Sequence, residues 1–254
     1  MVLFDYSREP RSDIAFVDMK SFYASCECIA LGLDPLKTSL CVMSRIENSA
    51  GLILAATPLF KKNFGSQNVS RSYNLPFDVH TRKFNYAAAR KQGLPITADY
   101  VRFIENAAQK TLLVPPRMNY YIQKNMEIQK IFQDFAAPDD IFPYSIDEGF
   151  LDLTSSINYF IPDQTLDRRT KLDLLAARIQ QAIWKKTGIY ASIGLSNANP
   201  LLAKLALDIE AKHTKKMRVN WSYEDVPSKV WTIPTMTDFW GIGHRTVTRL
   251  KKLG

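Results

Sequence analysis

Outside a basic middle segment, the chain alternates short strand-like apolar runs with helix-period stretches, in the order strand, helix, strand, strand, helix, strand. That order is the split βαβ (ferredoxin-like) pattern, an α+β class with helices on one face of a sheet, and it constrains the fold more than any other feature. Ile14–Val17 is an apolar run that ends at Asp18, which predicts a buried strand delivering a carboxylate to its end. Tyr121, Asn125, Ile128, Phe132 and Phe135 recur at steps of four and three, the spacing of one helix face, and Pro138 closes that helix. Ile141–Ile146 and Gly149–Leu153 read as two strands joined by a tight turn, with Asp147 and Glu148 at its tip. Leu172, Leu175, Ile179 and Ile183 predict a second amphipathic helix ended by Gly188, and Tyr190–Leu195 another strand. Asn199 caps and Pro200 starts a third helix to about Lys212, and Met217–Trp221 is a candidate edge strand.

The middle segment reads as a small inserted domain. Two strand-like runs, Leu40–Met43 and Leu52–Ala56, flank a polar turn at 47–51, and breakers follow at Pro58, Gly65, Pro76, Gly93 and Pro95. Residues 58–124 hold 11 Lys and Arg against 3 Asp and Glu, an excess equal to the net +8 of the whole chain. A polyanion, nucleic acid first, is the natural partner for such a concentration. A solvated basic face gives the same count, so other motifs have to decide.

Composition narrows the chemistry. The longest apolar stretches are far too short to span a bilayer, and the charged N-terminal dozen residues do not form a secretory signal, so a cytoplasmic protein is expected. Cys26, Cys28 and Cys41 lack the partners of a structural zinc site and read as reduced packing residues. Three histidines, scattered at 80, 213 and 244, do not favour a Ser-His-Asp triad. Carboxylates and lysines remain. Asp18 at one strand end and Asp147 with Glu148 at a hairpin tip belong to one predicted sheet, where clustered carboxylates repel one another unless cations neutralise them. Hard oxygen ligands suit Mg²⁺, and two such ions serve in-line phosphoryl displacement. Taken singly, each carboxylate is equally a polar turn or strand-end residue.

Four motifs carry a resemblance. Phe16-Val17-Asp18-Met19-Lys20-Ser21-Phe22-Tyr23-Ala24-Ser25-Cys26-Glu27 and Tyr144-Ser145-Ile146-Asp147-Glu148-Gly149-Phe150-Leu151-Asp152 are followed by Ser192-Ile193-Gly194-Leu195-Ser196-Asn197-Ala198-Asn199-Pro200-Leu201-Leu202-Ala203-Lys204 and by Asp238-Phe239-Trp240-Gly241-Ile242-Gly243. In this order they resemble the Y-family translesion DNA polymerases, the UmuC/ImpB/MucB-like branch in particular, from about Ile14 to the C-terminus.

The resemblance implies a palm at 1–22 and 113–221, a fingers insertion at 23–112, and at 222–254 the start of a helical thumb with a helix-hairpin-helix. It implies two Mg²⁺ ions bridged by Asp18 and Asp147, with Glu148 on the ion that activates the primer hydroxyl and the Met19 carbonyl on the nucleotide side. Tyr23, beside Phe22, matches the steric gate that rejects a 2′-hydroxyl, and Lys204 matches a triphosphate-reaching lysine. Its bland counterpart is a surface lysine paired with Asp208. Aligning on Phe64-Gly65 puts Lys62 on the triphosphate and Leu59 where the family has a Tyr; a register shift puts Lys61 there instead. Gly241, Ile242 and Gly243, with Lys251 and Lys252 nearby, match a backbone contact to DNA phosphate. Implied partners are primer-template DNA and dNTPs, with a sliding clamp and accessory subunits engaged through regions beyond Gly254, and the chain alone is expected to extend poorly. A non-catalytic damaged-DNA-binding or regulatory module, and a palm-like nucleotide cyclase, are the rival readings.

Overall fold

A computed structural model describes residues 5–45, 50–65 and 70–253. It divides into two compact units. One comprises 1–19, 126–186 and 190–254; the other comprises 20–125 with 187–189.

Strands β1 (Ile14–Met19), β2 (Leu40–Met43), β3 (Ile53–Ala56) and β4 (Leu112–Val114) are joined through helices α1 (Phe22–Ala30), α2 (Pro58–Phe64), α3 (Tyr86–Lys91) and α4 (Ala98–Gln109). Helix α5 (Met118–Phe132) leads to β5 (Ile141–Pro143), β6 (Glu148–Asp152), α6 (Ile157–Phe160) and α7 (Arg168–Thr187). Then come β7 (Ala191–Ser196), α8 (Pro200–Ile209), β8 (Arg218–Asn220) and α9 (His244–Leu253).

The first unit is built on a five-stranded sheet in the order β5-β6-β1-β7-β8, antiparallel except where β8 runs parallel to β7. Its register sets Asp18 opposite Glu148 on one side and opposite Ser192 on the other. Phe16 lies opposite Gly194, and the missing side chain there admits α8: a Cβ on Gly194 would stand 2.0 Å from the Ala203 carbonyl oxygen. Ile14 and Phe16 pack with Ala203, Leu207 and Ala211 on that face. Ala15, Val17, Leu151, Ile193 and Leu195, on the other, are equally buried. The sheet is therefore covered on both faces, not on one as its strand-helix order suggests, because Gly194 opens the second face to α8. Asn199 caps α8 as expected, accepting a hydrogen bond from the Leu202 N–H at 2.9 Å, but the α-helix ends at Ile209 and a 3₁₀ turn at Ala211–His213 carries Lys212.

The expected hairpin differs in two respects, the first being that β5 ends at Pro143 and not at Ile146. Second, strand β6 begins at Glu148, so Glu148 is a strand residue, and the connection Tyr144–Asp147 holds only Asp147. The reason is pairing: Pro143 lies opposite Gly149, and the Tyr144 and Ser145 N–H groups both donate to the Glu148 carbonyl at 2.9 Å.

The second unit holds a three-stranded sheet, β3-β2-β4, over a core of Met43, Ile53, Phe60, Phe64, Phe77 and Ile104. Glu47, Asn48 and Ser49 of the polar turn lie outside the described residues. Cys26, Cys28 and Cys41 are buried thiols outside any disulfide, and burial pushes Cys28 and Cys41 up to about 12, which makes those two inert packing residues. No helix among the described residues is long and apolar enough to cross a membrane.

Candidate active site

In the first unit, β1, β6 and the α8 region bring charged side chains to one sheet edge. Asp18 and Glu148 are cross-strand partners whose carboxyl groups share a hydrogen bond. Facing them are Lys204, Asp208 and Lys212, three residues at steps of four. Lys204 Nζ lies 2.9 Å from Glu148 Oε1 and 3.1 Å from Asp208 Oδ2. Lys212 Nζ lies 2.9 Å from Asp18 Oδ2, 2.9 Å from Asp208 Oδ1 and 3.7 Å from Glu148 Oε1. Lys204 is only 4% exposed and stands over the Phe16 ring at 5.0 Å, so the surface-lysine reading fails. Lys212 is a member of this cluster that the motifs missed. The step of four from Lys204 and Asp208 was the signal for it.

Burial, the largest influence, pushes Asp18 up to about 7, with Lys212 opposing it and the Glu148 carboxyl adding to it. Glu148 is lowered: burial acts against that shift, but the hydrogen bond from Asp18 and the Lys204 ammonium outweigh it. The two carboxyls are thus driven apart in proton affinity, Asp18 upward and Glu148 downward, the usual outcome when like charges meet away from water. Lys212 is raised, since Asp18 and Asp208 overcome the effect of its burial. Asp147 stands beside this pair on the β5–β6 connection. Its carboxylate accepts a hydrogen bond from the Ser145 hydroxyl at 3.0 Å, its carbonyl accepts from the Met19 N–H at 2.9 Å, and burial raises its pKa despite Ser145.

Of the three predicted carboxylates, the structure therefore brings Asp18 and Glu148 into contact and leaves Asp147 hydrogen-bonded to the Ser145 hydroxyl, within electrostatic reach of Glu148 and Lys212. Among the described residues no three His, Cys, Asp or Glu side chains form a metal-holding group. The donor chemistry nevertheless suits a hard divalent ion: the carboxylates are oxygen ligands, and the Ser192 hydroxyl, in register with Asp18, is buried without a partner.

Aromatic contacts tie two further motifs to this unit. Tyr144 meets Phe16 at 6.0 Å and Trp240 at 5.6 Å. Beyond Trp240, Gly241 takes φ 81°, a conformation that favours glycine, and Ile242 and Gly243 lead into α9, whose last turn carries the exposed Lys251 and Lys252. Upstream of the glycines the helical stretch is a single 3₁₀ turn, Met236–Asp238.

In the second unit, Ser21 takes the left-handed conformation (φ 51°) ahead of α1. Phe22 is buried at 2% exposed, and Tyr23 is half-buried with its ring stacked on Tyr121 at 4.4 Å. Lys62 is exposed and Lys61 half-buried on α2, which Thr57 caps through the Phe60 N–H.

The sequence profile of the impB/mucB/samB family matches residues 17–208, more than half of the chain and the stretch that holds every carboxylate above. The chain belongs to the impB/mucB/samB family. This member is 33% identical over 252 residues to UvrX of Bacillus subtilis (strain 168), a protein named for UV-damage repair, covering 99% of this chain and 50% of that one. It is 29% identical over 241 residues to DNA polymerase IV 2 of the same organism, covering 95% of this chain and 48% of the other. The chain thus spans about half the length of both relatives. Among solved structures, the insertion ternary complex of Dbh DNA polymerase superposes with a TM-score of 0.64 at 23% identity, over 95% of this chain and 58% of that one. DinB from Sulfolobus solfataricus gives 0.60 at 21%, over 95% and 57%. The impB/mucB/samB chain accordingly has a mixed α+β fold similar to the catalytic domains of Y-family polymerases.

Proposed function

We propose that the chain is the catalytic portion of a lesion-bypass DNA polymerase that adds deoxynucleotides to a primer 3′-hydroxyl. The observation that carries this reading is the pairing of Asp18 with Glu148 across β1 and β6, with Asp147 one residue away. In this reading residues 1–22 and 113–221 are the palm, 23–112 the fingers and 222–254 the start of the thumb.

Asp18, Asp147, Glu148 and the Met19 carbonyl would hold two Mg²⁺ ions, which when bound supply activation of the primer hydroxyl and neutralisation of the leaving oxygen. The chain's own residues do the rest. Lys204 and Lys212 hold the carboxylates ordered and compensated before substrate arrives, and Lys204 is the residue assigned to the triphosphate by the family motif. Lys62 or Lys61 brings a second positive charge to the triphosphate from α2. Phe22 backs Tyr23, whose flat ring leaves no room for a 2′-hydroxyl. Gly241 to Gly243, with Lys251 and Lys252, approach the DNA backbone without reading sequence. The basic excess at 58–124 draws the template in. A cytoplasmic enzyme working with a sliding clamp and accessory subunits fits the same reading.

Primer extension over intact and abasic templates tests it. Asp147→Ala and Glu148→Ala should abolish extension and leave DNA binding in place; extension that survives both changes overturns the assignment. The pairing of the carboxylates with two lysines favours one rival, a binding module without turnover, and that rival predicts nucleotide affinity independent of Mg²⁺.

A further inference from the structure

Tyr23 and Glu27 stand one turn apart on α1, and Arg117 and Tyr121 stand one turn apart where α5 opens, so that two i, i+4 pairs meet face to face. The Tyr23 and Tyr121 rings stack with centroids 4.4 Å apart and planes 13° from parallel. The Tyr121 phenol donates to Glu27 Oε1 at 2.7 Å. Arg117 grips the same carboxylate from Nε at 3.0 and 3.1 Å and from Nη2 at 2.7 Å, while its guanidinium lies 4.5 Å above the Tyr120 ring. Glu27 is 4% exposed and Tyr121 fully buried.

A buried carboxylate is tolerated only when its oxygens are fully paired, and charge-assisted, bidentate bonds are the most directional that a protein makes. Glu27 therefore has one arrangement available, and it locks the Tyr121 hydroxyl and with it the plane of that ring. Offset-parallel rings in turn favour a narrow range of relative positions. The chain of constraint runs from Arg117 to Glu27, to Tyr121, to Tyr23. A side chain that excludes one hydroxyl group has to be held to a fraction of an ångström, because repulsion falls away steeply with distance.

We propose that Glu27, Arg117 and Tyr121 are positioning residues that hold the Tyr23 ring in the attitude from which it separates deoxyribonucleotides from ribonucleotides. This rests on the reading of Tyr23 as the residue facing the sugar. The network lies wholly in the second unit.

The test is the ratio of kcat/KM for a deoxynucleotide to that for the matching ribonucleotide, measured on the intact chain and its variants. Any inactive fraction lowers both rates alike, so the ratio reports geometry and not folding yield. Tyr121→Phe, which keeps the ring and drops its bond to Glu27, should lower the ratio about threefold; Glu27→Gln and Tyr121→Leu should lower it about tenfold or more. Tyr23→Ala should collapse it. If Tyr23→Ala leaves the ratio unchanged, the assignment of Tyr23 fails and the proposal with it. If Tyr23→Ala collapses the ratio while the Tyr121 and Glu27 variants preserve it, the positioning network alone is overturned. Should turnover be too slow to measure, competition binding of dATP against ATP gives the ground-state part of the discrimination, and equal affinities in the unaltered chain overturn both.

Discussion

Asp18 and Glu148 lie directly opposite each other in the β1–β6 register and their carboxyl groups share a hydrogen bond. Asp18 is the raised member, at about 7 against an ordinary 3.8. The folded chain therefore keeps a proton that the unfolded chain has lost, and the stability linked to Asp18 is present at low pH and declines as pH rises from about 4 through about 7. Glu148, lowered, has the opposite slope, but its loss occurs as pH falls below its ordinary 4.5. Between about pH 5 and pH 7 the Asp18 contribution amounts to about 2 kcal/mol, and Asp147, also raised by burial, adds to it in the same direction. Asp18→Asn should remove the Asp18 contribution in urea titrations at the two pH values. A variant as pH-dependent as the parent would contradict the assignment.

The Gly194 backbone is the point at which α8 rests on the sheet. An added Cβ would meet the Ala203 oxygen at 2.0 Å and the Leu207 nitrogen at 2.4 Å, both backbone atoms with no rotamer to escape through. Gly194→Ala is expected to cost about 3 kcal/mol or more and to loosen Lys204 and Lys212 together. Thermal unfolding should show a large drop, and a drop of a degree or less would show that the helix can shift without penalty.

Legibility from sequence followed the range of the interactions. β1, β2, β7 and the cap of α8 were readable because each rests on a local pattern: an apolar run, or Asn199 ahead of Pro200. Glu148 was misplaced onto a turn because the start of β6 is set by pairing with β5, which local sequence does not encode. The covered second face depends on Gly194 meeting α8, a contact between residues whose relation only the folded chain supplies. That Asp18 and Glu148 belong to one sheet was legible, yet their pairing with Lys204 and Lys212 was not, since the motifs fix residue types and leave the counter-ions to the three-dimensional arrangement. The Glu27, Arg117 and Tyr121 network was missed for the same reason: Glu27 and Arg117 are 90 residues apart in the chain.

Lys204→Met tests the buried ion pair. The change keeps the stem that packs beside Phe16 and removes the ammonium 2.9 Å from Glu148. Half of a buried pair is then left uncompensated, for which about 3 kcal/mol of destabilisation is expected, and the Glu148 pKa should rise because a charge that lowered it is gone. Carboxyl-carbon NMR through a pH titration reads the second effect directly. An unmoved Glu148 would mean that Lys204 is not its partner in solution.

The same lysine supplies a contrast for nucleic-acid binding. Each phosphate neutralised by an exposed cation releases counter-ions and adds roughly 0.9 to the slope of log affinity against log salt on duplex DNA. Lys62 is exposed on α2, within the segment that holds the chain's whole positive excess, whereas the ammonium of Lys204 is spent on Glu148 and Asp208. In the absence of nucleotide, Lys62→Ala should therefore reduce the salt slope of primer-template binding by about one unit, and Lys204→Ala should leave the slope unchanged even if it lowers the melting temperature. Fluorescence anisotropy over a salt series measures both slopes. Equal slopes for the parent and Lys62→Ala would take α2 off the DNA-binding face, and a reduced slope for Lys204→Ala would show that its ion pairs open to meet phosphate.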